Sequence, residues 1–208
     1  LSKLNSPHVV RLLEHFPATV GTERVHIVAY EFHSGGDLTP HLEPGAPPLP
    51  ESELVAIGIQ VGMGIITLWA SRIVHRDIKP ANIVRATDGR YVLVDVGLAR
   101  HLDLSDITAA GGTPGTRGFR SPEQARGRRS LTLHSDVFSL GVTLYCLATK
   151  QHPFMNADPV VPIPLNTGPL TARSLSPGLI RLIQQMLDYT PAKRPSDPEA
   201  RFSALGAP

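Results

Sequence analysis

Apolar positions along the chain fall into helical and strand-like spacings. Leu54, Ile57, Val61, Ile65 and Leu68 recur every three or four residues, which predicts one buried helical face. Pro50 opens this helix at a point where its missing N–H costs nothing, and Glu51 and Glu53 in the first turn suit the helix dipole. Gly58, Gly62 and Gly64 each weaken it by about 1 kcal/mol relative to Ala. Packing must therefore hold it, and the small residues let a neighbour come close. Residues 135–149 are apolar nearly all round, which implies a buried central helix. Ser176-Pro177 reads as an N-cap with proline at the first helical position, and Leu179, Leu182, Ile183, Met186 and Leu187 mark an amphipathic helix. Residues 8–13 and 24–30 are β-rich and predict two strands. Short β runs at 82–86 and 91–95 flank Asp88-Gly89, a strong hairpin signal. Residues 33–37 read as a turn, 37–42 as the start of a short helix, 44–50 as a loop and 105–118 as a mobile Gly/Thr-rich loop. The fold class expected is α+β, mainly helical, with the chemistry on loops.

Composition narrows the function. The 208 residues suit one domain, and 41% hydrophobic residues can fill a core. A net charge of +2 is too small to suggest a nucleic-acid binder. The one basic cluster, Arg126-Gly127-Arg128-Arg129, reads as a solvated patch, with substrate docking as the sharper alternative. The 20 prolines gather in loops at 40–50, 153–169 and 191–198. A single cysteine, Cys146, allows no internal disulfide and no Cys-based zinc site; it reads as a small core hydrophobe. His8, His15, His26, His33 and His41 lie seven to eleven residues apart, which is not a zinc spacing. The longest apolar stretch, 54–70, is broken by Gln60 and three glycines and predicts no membrane segment. The chain begins with Leu, so a fragment or processed product is expected.

The segment His75-Arg76-Asp77-Ile78-Lys79-Pro80-Ala81-Asn82 places a carboxylate, an ammonium and a carboxamide in one tight loop. A second carboxylate follows in Asp95-Val96-Gly97. Phosphoryl transfer needs such parts: a carboxylate to orient the attacking hydroxyl, a cation for the moving phosphoryl, and oxygen ligands for magnesium.

These residues resemble the catalytic and magnesium-binding loops of protein kinases. Gly115-Thr116-Arg117-Gly118-Phe119-Arg120-Ser121-Pro122-Glu123 resembles the family's substrate loop running into its Ala-Pro-Glu motif. Asp136-Val137-Phe138-Ser139-Leu140-Gly141 resembles the start of its buried central helix, and Arg194 the arginine that pairs with Glu123. The four motifs occur in order across residues 5–200. Lys79 with Gly115-Thr116 is the pattern of Hanks-type serine/threonine kinases.

The resemblance implies a set of roles. Asp77 is the base or hydroxyl-orienting carboxylate, Lys79 contacts the transferred phosphate, and Asn82 and Asp95 hold Mg2+. Thr116 bonds to the catalytic loop. Tyr30 is the gatekeeper, Glu31-Phe32-His33 the hinge that meets adenine of ATP, Val84 the floor beneath it, and Asp37 a contact for ribose or a basic substrate residue. Arg76 is implied as the receptor of a phosphorylated loop, with Thr108 and Thr113 as acceptors and Ser105 weaker. His75, Glu123, Asp136 and Arg194 are structural. Residues 1–33 would be a remnant of N-lobe strands and hinge, and 34–205 the C-lobe. The family's glycine-rich loop and strand lysine would lie before residue 1, so these residues alone are expected to bind ATP weakly.

Some positions depart from the family. Val96 replaces the usual Phe, Phe119 a common Tyr, and prolines occupy 155–170 where a docking helix is usual. Ser121-Pro122-Glu123-Gln124-Ala125-Arg126-Gly127 resembles bacterial kinases, whereas Leu93-Val94-Asp95 and 115–120 resemble eukaryotic replication-initiation kinases; both remain open. The function implied is transfer of the γ-phosphoryl of Mg-ATP to Ser/Thr of protein substrates. The alternative is a non-catalytic, kinase-like scaffold. A regulatory protein partner and a cytoplasmic or nuclear location are further expectations.

Overall fold

The computed structural model describes residues 4–96, 100–101, 115–128 and 130–205. Two long helices form its centre. Helix α1 (Glu51–Ala70) buries Leu54, Ile57, Val61, Ile65 and Leu68, the face expected from their spacing. Helix α3 (Leu133–Thr149) is buried along almost its whole length. It ends at Lys150, which adopts a left-handed conformation as its C-cap. Short α2 (Pro122–Ala125) and α4 (Gly168–Ala172), α5 (Pro177–Met186) and α6 (Pro198–Ser203) pack around this pair. The glycines of α1 are contact points. A Cβ at Gly58 would lie 2.6 Å from the Phe202 ring of α6, and one at Gly62 would lie 3.0 Å from the Glu199 amide.

Capping matches chemistry to position. Ser176 Oγ accepts the Leu179 N–H at the start of α5, and its own N–H and hydroxyl donate to Glu51 at the start of α1. By length and composition α1 is also long and apolar enough to cross a membrane; here its apolar face is packed inside the domain, against α3 and α6. Cys146 is buried in α3, and burial pushes its thiol up to about 12.

Among the described residues the strands form three two-stranded antiparallel sheets: β1 (Leu12–Val20) with β2 (Glu23–Tyr30), β3 (Ile73–Val74) with β6 (Arg100–His101), and β4 (Ile83–Arg85) with β5 (Tyr91–Leu93). The β4–β5 hairpin forms around Asp88-Gly89 as expected, with Gly89 at φ +87°. The first strand does not occupy 8–13. Residues 8–10 instead pair with β5 through Val10 N–H to Leu93 O (2.8 Å) and Leu93 N–H to His8 O (3.0 Å). Val9 and Val10 are buried there, so burial against β5 takes these residues away from the hairpin. The hairpin strand runs later because Gly21, at φ +63°, turns the chain in a two-residue Gly21-Thr22 loop.

Candidate active site

The loop 75–82 is fixed from below by Asp136. Its wholly buried carboxylate accepts the backbone N–H groups of His75 (2.8 Å) and Arg76 (2.9 Å). Burial raises the Asp136 pKa, against the pull of these two amides. They hold Arg76 in a left-handed conformation, φ +74°, a strained state for a non-glycine residue. His75 has no exposed surface, and its two nitrogens have different tasks. Nδ1 accepts the Asp77 N–H (3.3 Å), so Nε2 carries the proton and donates to Val94 O (3.0 Å). The imidazole thus ties the loop 75–82 to the residue before Asp95.

Asp77 is the hub of the site. Its Oδ1 accepts the Thr116 N–H at 2.6 Å. Its Oδ2 accepts from Lys79 Nζ (2.8 Å) and Asn82 Nδ2 (3.0 Å). Lys79 also donates to Thr116 Oγ1 (2.5 Å), and Asn82 Nδ2 to Asp77 O (2.8 Å). Burial disfavours the Asp77 charge, but the Lys79 and Thr116 hydrogen bonds outweigh it and lower the pKa below the usual carboxylate range. The structure thus brings together Asp77, Lys79, Asn82 and Thr116.

Asp95 lies across a cavity of about 220 Å³ lined by Val10, Tyr30, Glu31, Phe32, His33, Val84, Val94 and Asp95. The expected hinge, gatekeeper and floor residues therefore share one concave, largely apolar wall with an acidic end. Burial and the nearby Asp95 charge raise the Tyr30 phenol pKa. Asp95 is exposed and left-handed at φ +57°, which points to a held conformation. Val96 is buried in the hydrophobic core. Asp37 stands apart from the lining: its Oδ1 accepts the Thr39 N–H (2.7 Å) and its backbone bridges Val84.

The cavity and Asp77 loop fit a metal–nucleotide ligand in their donor set. Asn82 spends its Nδ2 on Asp77, which directs its amide oxygen elsewhere, and Asp95 offers a solvent-facing carboxylate. Among the described residues no three His, Cys, Asp or Glu side chains cluster to hold a metal. Two protein oxygen donors suit magnesium, which is usually completed by phosphate and water.

Glu123 and Arg194 form the expected ion pair, in bidentate geometry at 2.7 and 3.0 Å. Arg194 further donates to the carbonyls of Asp188, Tyr189 and His134, so all five guanidinium N–H groups are used, and it stacks 4.8 Å over Phe138. Burial opposes the Glu123 charge, but Arg194 holds the pKa down. Gly115 (φ +101°) has no room for a side chain: a Cβ would sit 2.5 Å from Gln124 Nε2 and 2.6 Å from Arg76 O. Gln124 Nε2 donates to that same Arg76 carbonyl (2.6 Å). Gln124, His152 and Asp158 were not singled out from sequence, and nothing local in their neighbourhood signals these contacts. Thr108, Thr113 and Ser105 lie outside the described residues, as do Gly97 and Arg129. Arg126 packs on Tyr189 and donates to Val160 O.

Burial lowers the pKa of His8, His134 and His152. In the unfolded chain each protonates near its ordinary value of about 6.5. The folded state resists that proton, so stability falls as pH drops from about 7 toward 5. Urea midpoints measured across this range should decline steadily; an increase on acidification would contradict the assignment.

A model of the protein kinase domain family matches residues 1–204. Serine/threonine-protein kinase pkn3 of Myxococcus xanthus is 35% identical over 224 residues, covering 99% of this chain and 40% of that protein. Probable serine/threonine-protein kinase PkwA of Thermomonospora curvata is 38% identical over 154 residues, covering 73% and 20%. Serine/threonine-protein kinase PknB of Mycobacterium leprae is 33% identical over 160 residues, covering 76% and 25%. The chain thus spans 20–40% of the length of these relatives. The chain belongs to the protein kinase domain family, in its serine/threonine branch.

Proposed function

We propose that the natural protein transfers the γ-phosphoryl group of Mg-ATP to Ser or Thr hydroxyls of protein substrates. The observation that carries this is the Asp77–Lys79–Asn82–Thr116 cluster beside the cavity that ends at Asp95. A scaffold without chemistry has no need of these groups in mutual contact.

In this reading Asp77 stays ionised and orients rather than titrates, because its lowered pKa makes it a weak base. Oδ2 accepts from Lys79 and Asn82 and Oδ1 from the Thr116 N–H, so the incoming hydroxyl would meet the Oδ1 side of the carboxylate. Lys79, held by both Asp77 and Thr116, lies where it would meet the transferred group. Tyr30, Val84 and the Glu31–His33 backbone would hold the adenine. Magnesium, when bound by Asp95 and Asn82, would neutralise phosphate charge. Arg76 would receive the phosphate of a modified loop.

Calorimetric titration of the full-length protein with ATP, with and without Mg2+, tests the binding half of this proposal. Asp95→Asn should lose about tenfold or more of the Mg-dependent affinity and little of the metal-free affinity. Equal loss under both conditions would remove Asp95 as the metal ligand.

A further inference from the structure

The segment that follows Thr116 is a single tight turn. Phe119 N–H donates to Thr116 O (3.1 Å), and Gly118 takes φ +90° at the third position, as a type II turn requires. Both faces of the Gly118 peptide are held by the loop after α3. Its N–H donates to Asp158 Oδ1 at 2.7 Å, and its carbonyl accepts from His152 Nε2 at 2.9 Å. The tautomer of His152 is fixed, because Nδ1 already accepts the N–H groups of Phe154 (3.0 Å) and Asn156 (2.9 Å). Phe119 meets the His152 ring edge-on at 5.8 Å, and its carbonyl accepts from Ser139 Oγ (2.8 Å). At the other end Thr116 N–H is bound to Asp77.

One side chain of the turn stands outside these contacts. Arg117 is exposed at the second position, one residue from the amide that touches Asp77. The neighbouring charges are matched in pairs: Asp77 with Lys79 at 2.8 Å, and Asp158 with Arg120 at 2.7 Å. Among the described residues of this turn and its clamp, the charge left over is therefore the positive one of Arg117.

We propose that Arg117, presented by this clamped turn, selects protein substrates carrying an acidic side chain next to the acceptor Ser or Thr. His152 and Asp158 are positioning residues for that selection. The inference rests on the kinase reading, since it takes Asp77 as the point where the acceptor hydroxyl sits. A carboxylate flanking that hydroxyl meets a cation carried on a clamped backbone, whereas a basic neighbour is repelled.

The test uses the full-length protein and peptides that differ only in Asp, Ala or Lys on either side of one acceptor serine. Label incorporation from ATP and peptide binding by fluorescence anisotropy are both measured. The Asp peptide should exceed the Ala peptide about fivefold, as expected for an exposed pair, with the difference in KM rather than kcat. It should shrink in high salt, and Arg117→Glu should invert the order of Asp and Lys peptides. In His152→Asn the amide oxygen can replace Nδ1 at Phe154 and Asn156 while the Gly118 bond is lost. Selectivity should then flatten without inverting. Phosphorylation of all peptides with the same ranking in wild type and Arg117→Glu overturns the selector and leaves the kinase reading standing. Binding that inverts with Arg117→Glu, in a protein that transfers no label, supports the selector and overturns the kinase reading.

Discussion

Asp77→Asn should reduce phosphate transfer by about 10²–10⁴-fold, the span that a positioned proton-accepting group contributes, while the fold survives. The reason lies in the hydrogen-bond inventory. An asparagine can still accept the Thr116 N–H through its carbonyl oxygen, so the link between catalytic loop and substrate turn persists. Its NH2 group, however, would face Lys79 Nζ and Asn82 Nδ2, two donors that lose this acceptor and keep only Thr116 Oγ1 and the backbone carbonyl of residue 77. The acceptor hydroxyl loses its anionic partner, and Lys79 loses the charge that holds it. Thermal unfolding should shift by only a few degrees, and nucleotide affinity should change little, because the cavity proposed for adenine is built from other residues. Collapse of the fold in this variant would show that the cluster is structural first. Transfer within tenfold of wild type would show that Asp77 is not the orienting group.

Arg194→Ala should be the most damaging single change to stability, at about 3–5 kcal/mol. Removing the guanidinium leaves the Glu123 carboxylate buried without its ion partner and strips hydrogen bonds from the carbonyls of His134, Asp188 and Tyr189. It also uncovers the face of Phe138 in the central helix. The consequence reaches the site, since α2 carries Gln124 onto Arg76 O and follows the substrate turn directly. Urea denaturation of the domain measures the loss. A change below about 1 kcal/mol would place this pair among ordinary surface salt bridges, despite its burial.

The site was legible in the sequence wherever its parts lie close in the chain. Asp77, Lys79 and Asn82 fall within six residues, so their convergence needs only one tight loop. The β4–β5 hairpin and the α1 and α5 faces were equally readable, because Asp88-Gly89 and the three-to-four residue spacing act locally. The strand at 8–13 was misplaced because composition gives β tendency but not the partner; β5, far along the chain, competes for Val9 and Val10. Gly21-Thr22 was a readable signal for the first turn, since Gly leads this type of two-residue loop. The clamp on Gly118 was not readable. His152 and Asp158 reach it over 34 and 40 residues, and a histidine or aspartate in a proline-rich loop carries no mark of such a contact. Asp37 shows the reverse case, a carboxylate matched by position to the nucleotide but turned to its own loop at Thr39.

The central claim is tested most directly by incubating the full-length protein with γ-labelled ATP, Mg2+ and a Ser/Thr protein substrate, then identifying the labelled amino acid. The account predicts phosphoserine or phosphothreonine that forms only with Mg2+ and disappears in Asp77→Asn. Label transfer that persists undiminished in that variant, or its complete absence from the wild-type protein, would contradict it.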